Sequence, residues 1–169
     1  MNNPLMRAKV AQQLQNQKQL PKSMRTENNP AAFGAESSED YYIYPFNVAS
    51  IAPAANATAS IQIQANSAFV IQKMAYMVDN AAASQNDSTR LIPLVTVKIE
   101  DSGSGRFFQK DPIPLSAIAG TGELPFVLPR PRLCMPSSAL TATFTNYDAA
   151  VTYTNLYLLL IGYQIYNYG

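Results

Sequence analysis

The chain has 169 residues, 47% of them apolar and 14% charged, where a typical globular domain carries about 25% charged residues. Histidine and tryptophan are absent and Cys134 is the single cysteine, so histidine-based acid–base catalysis, His or Cys metal cages, Cys–His nucleophiles and internal disulfides are all excluded. The length fits one domain plus an appendage, and so few charges leave a surface that is uncharged polar or covered by something.

The net charge of +1 hides an asymmetry. Arg7, Lys9, Lys18, Lys22 and Arg25 stand without a carboxylate in residues 1–26, Glu27, Glu36, Glu39 and Asp40 follow by residue 40, and the remainder is balanced. A tail chemically distinct from a neutral body is expected, with an N-terminal arm and linker over 1–40 and a domain over 41–169. No run reaches the roughly 20 apolar residues of a membrane-spanning helix, so no membrane is expected. Gln12, Gln13, Gln15, Gln17 and Gln19 lie where a signal peptide would be apolar, which argues against classical secretion, and a lone cysteine suits a reducing cytoplasm.

Asn3 and Pro4 make a good helix entry and Pro21 a stop, so a helix is predicted over about 4–20. Its apolar residues Met6, Val10 and Leu14 form a narrow stripe suited to a partner's groove, flanked by Arg7 and Lys18; the bland alternative is a disordered arm. Prolines, asparagines and serines over 21–40 read as an extended linker.

From Tyr41 the pattern becomes that of an all-β domain of about eight strands, with short runs of β-branched and aromatic residues between turn residues. Strands are expected over 41–48, 58–64, 68–77, 94–99, 140–146 and 152–167, the second and fourth strictly alternating. A polar loop spans 79–89. The glycine-rich turn after Glu100 marks a hairpin. Six prolines over 111–136 predict a stiff connection barred from a central strand. The last strand, apolar on both faces from Leu156 to Ile161, is expected to be central and doubly buried, with Gly162 at a bulge or close approach. Without an internal repeat, a two-sheet sandwich of jelly-roll type fits best.

Several motifs invite a chemical reading. Asp101-Ser102-Gly103-Ser104-Gly105-Arg106 resembles a phosphate cradle but lacks the Gly-Lys-Ser/Thr and the following helix, so it reads as a hairpin turn; Gly120-Thr121-Gly122 reads as loop. The adjacent carboxylates Glu100/Asp101 and Glu39/Asp40 point to opposite faces if on strands, whereas a glycosidase pair must face each other. Cys134 has no histidine to activate it and reads as a small hydrophobe. The five cations of the first segment lack aromatic partners for stacking on bases, so an acidic protein surface is preferred to nucleic acid as their partner. Tyr147, Tyr153, Tyr157, Tyr163, Tyr166 and Tyr168 are six of the ten tyrosines. All but Tyr147 are taken as candidate interface residues; strand propensity is the plain alternative and stacking on sugar rings a further one. Neither a catalytic residue nor a cofactor is expected.

Across residues 41–166 the chain resembles small jelly-roll virion proteins of tailed bacteriophages, the neck-collar and head-decoration types. The resemblance rests on Tyr44-Pro45-Phe46, Thr58-Ala59-Ser60-Ile61-Gln62-Ile63, the Ile99 to Phe107 turn segment, Pro112-Ile113-Pro114-Leu115, the Pro136 to Asn146 segment and Leu158-Leu159-Leu160-Ile161-Gly162-Tyr163. It implies a non-enzymatic subunit made in the host cytoplasm and found in the virion. Such a subunit would be a homo-oligomer docked on a portal, connector or major capsid protein through its arm. The competing class is a glycan- or receptor-binding sandwich of a tail or fibre.

Overall fold

A computed structural model describes residues 38–81 and 92–166. The predicted helix over 4–20 with Met6, Arg7, Val10, Leu14 and Lys18, the centre of the polar loop and Tyr168 lie outside the described residues.

Among the described residues, nine strands and one helical turn follow in order: β1 Glu39–Ile51, β2 Asn56–Gln62, β3 Ser67–Asn80, β4 Val95–Asp101, β5 Arg106–Phe107, β6 Ile113–Pro114, α1 Leu115–Ile118, β7 Phe126–Cys134, β8 Ala139–Asn146 and β9 Tyr153–Tyr166. They form two antiparallel sheets: β1-β9-β3-β7, and β2-β8-β4-β5 with β6 also on β4. The all-β sandwich expected from the sequence is the observed architecture.

Period-two alternation builds the core. Tyr44, Phe46, Val48, Phe69, Ile71, Leu156, Leu158 and Leu160 enter it from the first sheet, and Val95, Val97, Ile99, Leu140, Ala142 and Phe144 from the second. Leu115 of α1 is fully buried and plugs the space between them. At the Asn146 corner the amide donates to the carbonyls of Ile51, Ala52 and Val151 at 3.3, 3.0 and 2.8 Å, tying the ends of β1 and β8 to the approach of β9. Its Oδ1 accepts the Asp148 N–H, and the Asp148 carboxylate accepts those of Ala150 and Val151, which hold its pKa below the ordinary value. Tyr44 sits in a second buried polar network, its hydroxyl accepting from the Gln164 amide at 2.8 Å and the Gln64 N–H at 3.2 Å.

Two expectations change. The proline-rich connection contains β7, which pairs with β3 alone as an edge strand. Lys73 is opposite Val127 and Ile71 opposite Arg132, so only Gln72 faces the stretch 128–131, where Pro129 and Pro131 sit outside the regular ladder. The prolines are tolerated because the strand bulges where they occur. Strand β9 is central, between β1 and β3, but it is not doubly buried: Tyr157, Leu159, Ile161 and Tyr163 on its outer side are only half-buried. Gly162 is the close-approach site, since a Cβ there would lie 1.8 Å from the Val70 carbonyl oxygen, beside the register shift in β3.

Candidate assembly interface

The outer face of the first sheet is apolar row by row. Strand register sets Tyr41, Tyr163, Val70 and Leu133 side by side, then Ile43, Ile161, Lys73 and Val127, then Pro45, Leu159 and Ala75, then Asn47, Tyr157 and Met77. Tyr41 is 71% exposed, Val127 62% and Met77 51%. Solvent-facing sides of antiparallel sheets ordinarily alternate to polar residues; here Lys73 is the one charge within these rows, and Glu39 lies beyond them at the β1 corner. With strands about 4.8 Å apart and rows about 6.8 Å apart, the rows span about 14 by 20 Å between Cα positions. Val70 and Ala75 within these rows are buried, and the remaining apolar residues make this face the candidate interface.

The sheet divides the predicted tyrosines. Tyr157 and Tyr163 lie on this face, and burial, then the charge of Glu39, pushes the Tyr163 hydroxyl pKa up. Tyr153 is inward, 3% exposed, and its hydroxyl accepts the Leu94 N–H, so it is a core residue and leaves the interface set. Tyr166 is half-buried with its hydroxyl donated to Gln164 Oε1 at 2.7 Å, in the polar network around Tyr44. Register assigns the face residues that the tyrosine count missed: Tyr41, Ile43, Val127 and Met77. The sequence signal was the apolar residues on both faces of β9, and pairing extends it to the neighbours.

The second sheet presents a different outer face. Thr58, Thr143 and Lys98 lie side by side, as do Ser60, Thr141 and Glu100, and the Ser60 and Thr141 hydroxyls are hydrogen-bonded at 3.0 Å. Lys98 Nζ stands 4.1 Å from the Phe107 ring centroid.

The motifs set aside for catalysis have structural occupations. The glycine-rich turn joins β4 to β5, with Asp101 accepting the Gly103 N–H and the Ser104 hydroxyl. Glu100 is exposed and Asp101 is 2% exposed, so these neighbours face opposite sides. The Cys134 thiol is fully buried, and burial first, then the Asp101 charge, pushes its pKa up to about 12, which leaves no thiolate for chemistry near neutrality. Among the described residues no group of three or more His, Cys, Asp or Glu could hold a metal ion, and no helix is long and apolar enough to cross a membrane. No family model matches the chain, and no curated protein matches it significantly.

Proposed function

We propose that the chain is a non-enzymatic structural subunit of a tailed-phage virion that self-associates through the outer face of its first sheet. Its basic N-terminal segment attaches it to neighbouring virion proteins of the portal, connector or capsid. The observation that carries the reading is the apolar outer face of β1, β9, β3 and β7. Glu39 at one corner and Lys73 nearer the centre make the face self-complementary. A two-fold axis lying in the face midway between them sets Glu39 of each copy over Lys73 of the other. Stable isolated dimers bury about 800 Å² per partner, more than the rows alone provide, so the pairing is weak by itself and is reinforced where the basic N-terminal segments hold copies on a common virion surface.

The strand order supports a jelly roll. The pairs β1:β9, β2:β8, β3:β7 and β4:β5 nest as first with last, so the chain is one long hairpin whose tip is the glycine-rich turn, rolled until β9 meets β3 and β8 meets β4. That pattern is frequent in viral coat proteins, and it agrees with the resemblance to collar and head-decoration proteins. Lectin domains use it too, and Tyr41 beside Tyr163 gives the glycan-binding reading its one observation. Sugar recognition needs several polar groups among the rings, and this face offers Asn47 and Lys73.

Sedimentation equilibrium on the full chain over a wide concentration range tests the proposal. Association that rises with concentration and is lost in Ile43→Asp/Met77→Asp, both exposed positions, is the expected result. A wild-type monomer at every concentration, or a double variant that associates as strongly as wild type, overturns it.

A further inference from the structure

Away from the apolar face, a cleft of about 230 Å³ opens at the edge of the sandwich between β7 and the segment that follows β5. Met74, Phe108, Ile113, Ile118, Phe126 and Leu128 wall it. Arg130 and Arg132 add two guanidinium groups to the same lining. Both come from β7, Arg130 from the bulged stretch that carries the prolines and Arg132 from the point where pairing with β3 resumes.

The two cations are unequally satisfied. Arg132 is stacked 3.8 Å from the Phe108 ring centroid and stands 3.9 Å from an Asp101 oxygen. Among the described residues Asp101 is the one carboxylate so placed, and it already accepts from Gly103 and Ser104. Arg130 is exposed and forms no ion pair among the described residues. An apolar cleft is thus left with an unmatched positive charge, which is complementary to a ligand that is apolar at one end and anionic at the other.

Size and surroundings narrow the ligand. An apolar cavity of about 150 Å³ holds benzene, so this one admits a single aromatic side chain and little more, and it falls below the ~300 Å³ at which pockets for free small molecules begin. Phe108 and Phe126 supply rings for edge or offset contacts. Leu124, 70% exposed, lies two residues before Phe126 in the chain and offers a macromolecular partner further apolar area around a central anchor. Pro129 and Pro131 lack the N–H groups that would pair with an added strand, so recognition there is by side chain rather than by strand addition.

We propose that this cleft is a docking site for a segment of a different protein, one that inserts an aromatic side chain against Phe108 and Leu128 and sets a neighbouring carboxylate on Arg130. The site is separate from the self-association face, so it stands or falls independently of that reading.

The test is selection of a random dodecapeptide display library on the immobilised full chain, followed by affinity measurements with synthesised winners. Enriched peptides are expected to carry Phe, Tyr or Trp with Asp or Glu within about three residues. Their binding is expected to fall at least ten-fold in Arg130→Glu, whose exposed side chain leaves folding untouched, to vanish in Leu128→Trp, which fills the cleft, and to weaken from 50 to 500 mM NaCl. Absence of enrichment, winners without an acidic residue, or winners that bind Arg130→Glu as tightly as wild type overturn the proposal. A cleft that takes 3-phenylpropionate and 3-phenylpropanol equally, without selecting acidic peptides, is a simple apolar hole and overturns it as well.

Discussion

The two outer faces of this sandwich are built on the same pleat and differ in what they ask of their surroundings. On the second sheet Thr58, Thr143, Ser60 and Thr141 end in hydroxyls that water or each other can satisfy. On the first, Ile43, Ile161, Leu159 and Met77 offer water nothing to bond. Fully burying one such side chain is worth about 1.5–3 kcal/mol, and a half-exposed row keeps part of that in reserve for a partner. In a sandwich only the inner faces must be apolar to fold, so the apolar outer face of the first sheet is what the proposed self-association rests on. The polar face serves as its internal control.

The largest effect that bears on this contrast is expected at Gly162, which sets how closely β9 and β3 approach and hence the register of the apolar rows. In Gly162→Ala the new Cβ would meet the Val70 carbonyl oxygen at 1.8 Å, and backbone cannot swing aside as a side-chain tip can. A loss of about 4 kcal/mol or more is expected, read as a shift in the urea midpoint. A variant that unfolds at the wild-type midpoint would show that the two strands are free to separate, and that the rows are less rigid than their register implies.

Asn146 probes the second sheet. Its amide is fully buried and satisfies three carbonyls from two loops and a strand end, with Oδ1 holding Asp148 in return. Asn146→Ala leaves those groups without their partner, and with net hydrogen bonds worth about 1 kcal/mol each a cost of about 2–3 kcal/mol is expected in the same unfolding measurement. Because the corner lies away from the apolar face, self-association of the folded fraction should be unchanged. A variant that folds normally and loses association would tie the face to the corner and blur the contrast.

Much of this was legible in the sequence because alternation is a local signal. Val95, Val97 and Ile99 against Thr96 and Lys98 announce both a strand and its buried side. The long apolar β9 announced its central place. Strand β7 was hidden because proline is read as a breaker, and only the pairing with β3 shows that a bulge can absorb two of them. The roles of Tyr153 and Tyr166 were hidden for a different reason. A tyrosine ring looks the same in sequence whether its hydroxyl reaches water, the Leu94 amide or Gln164, and the choice depends on partners 59 positions away in one case and two in the other. The cleft beside Arg130 has no signature in the sequence, since its walls come from β3, β7, α1 and the segments around β5 and β6, which no periodicity links.

The smallest expected effect sharpens the contrast most cleanly. Thr143 is exposed on β8, directly opposite Thr58 on one side and Lys98 on the other. Thr143→Glu gives up a β-branched residue suited to a strand but places a carboxylate across from an ammonium group, and an opposite-charge cross-strand pair returns roughly 0.2–1 kcal/mol. Lys98 now rests on Phe107 and must divide itself between ring and carboxylate, which trims that return. The two terms nearly cancel, so stability should stay within about 0.5 kcal/mol of wild type. Sedimentation should be unchanged, although the variant carries a charge like those that dissolve association on the first sheet. If Thr143→Glu also abolished self-association, the interface would extend to the hydroxyl face, and apolar character would no longer be what distinguishes the sheet that assembles.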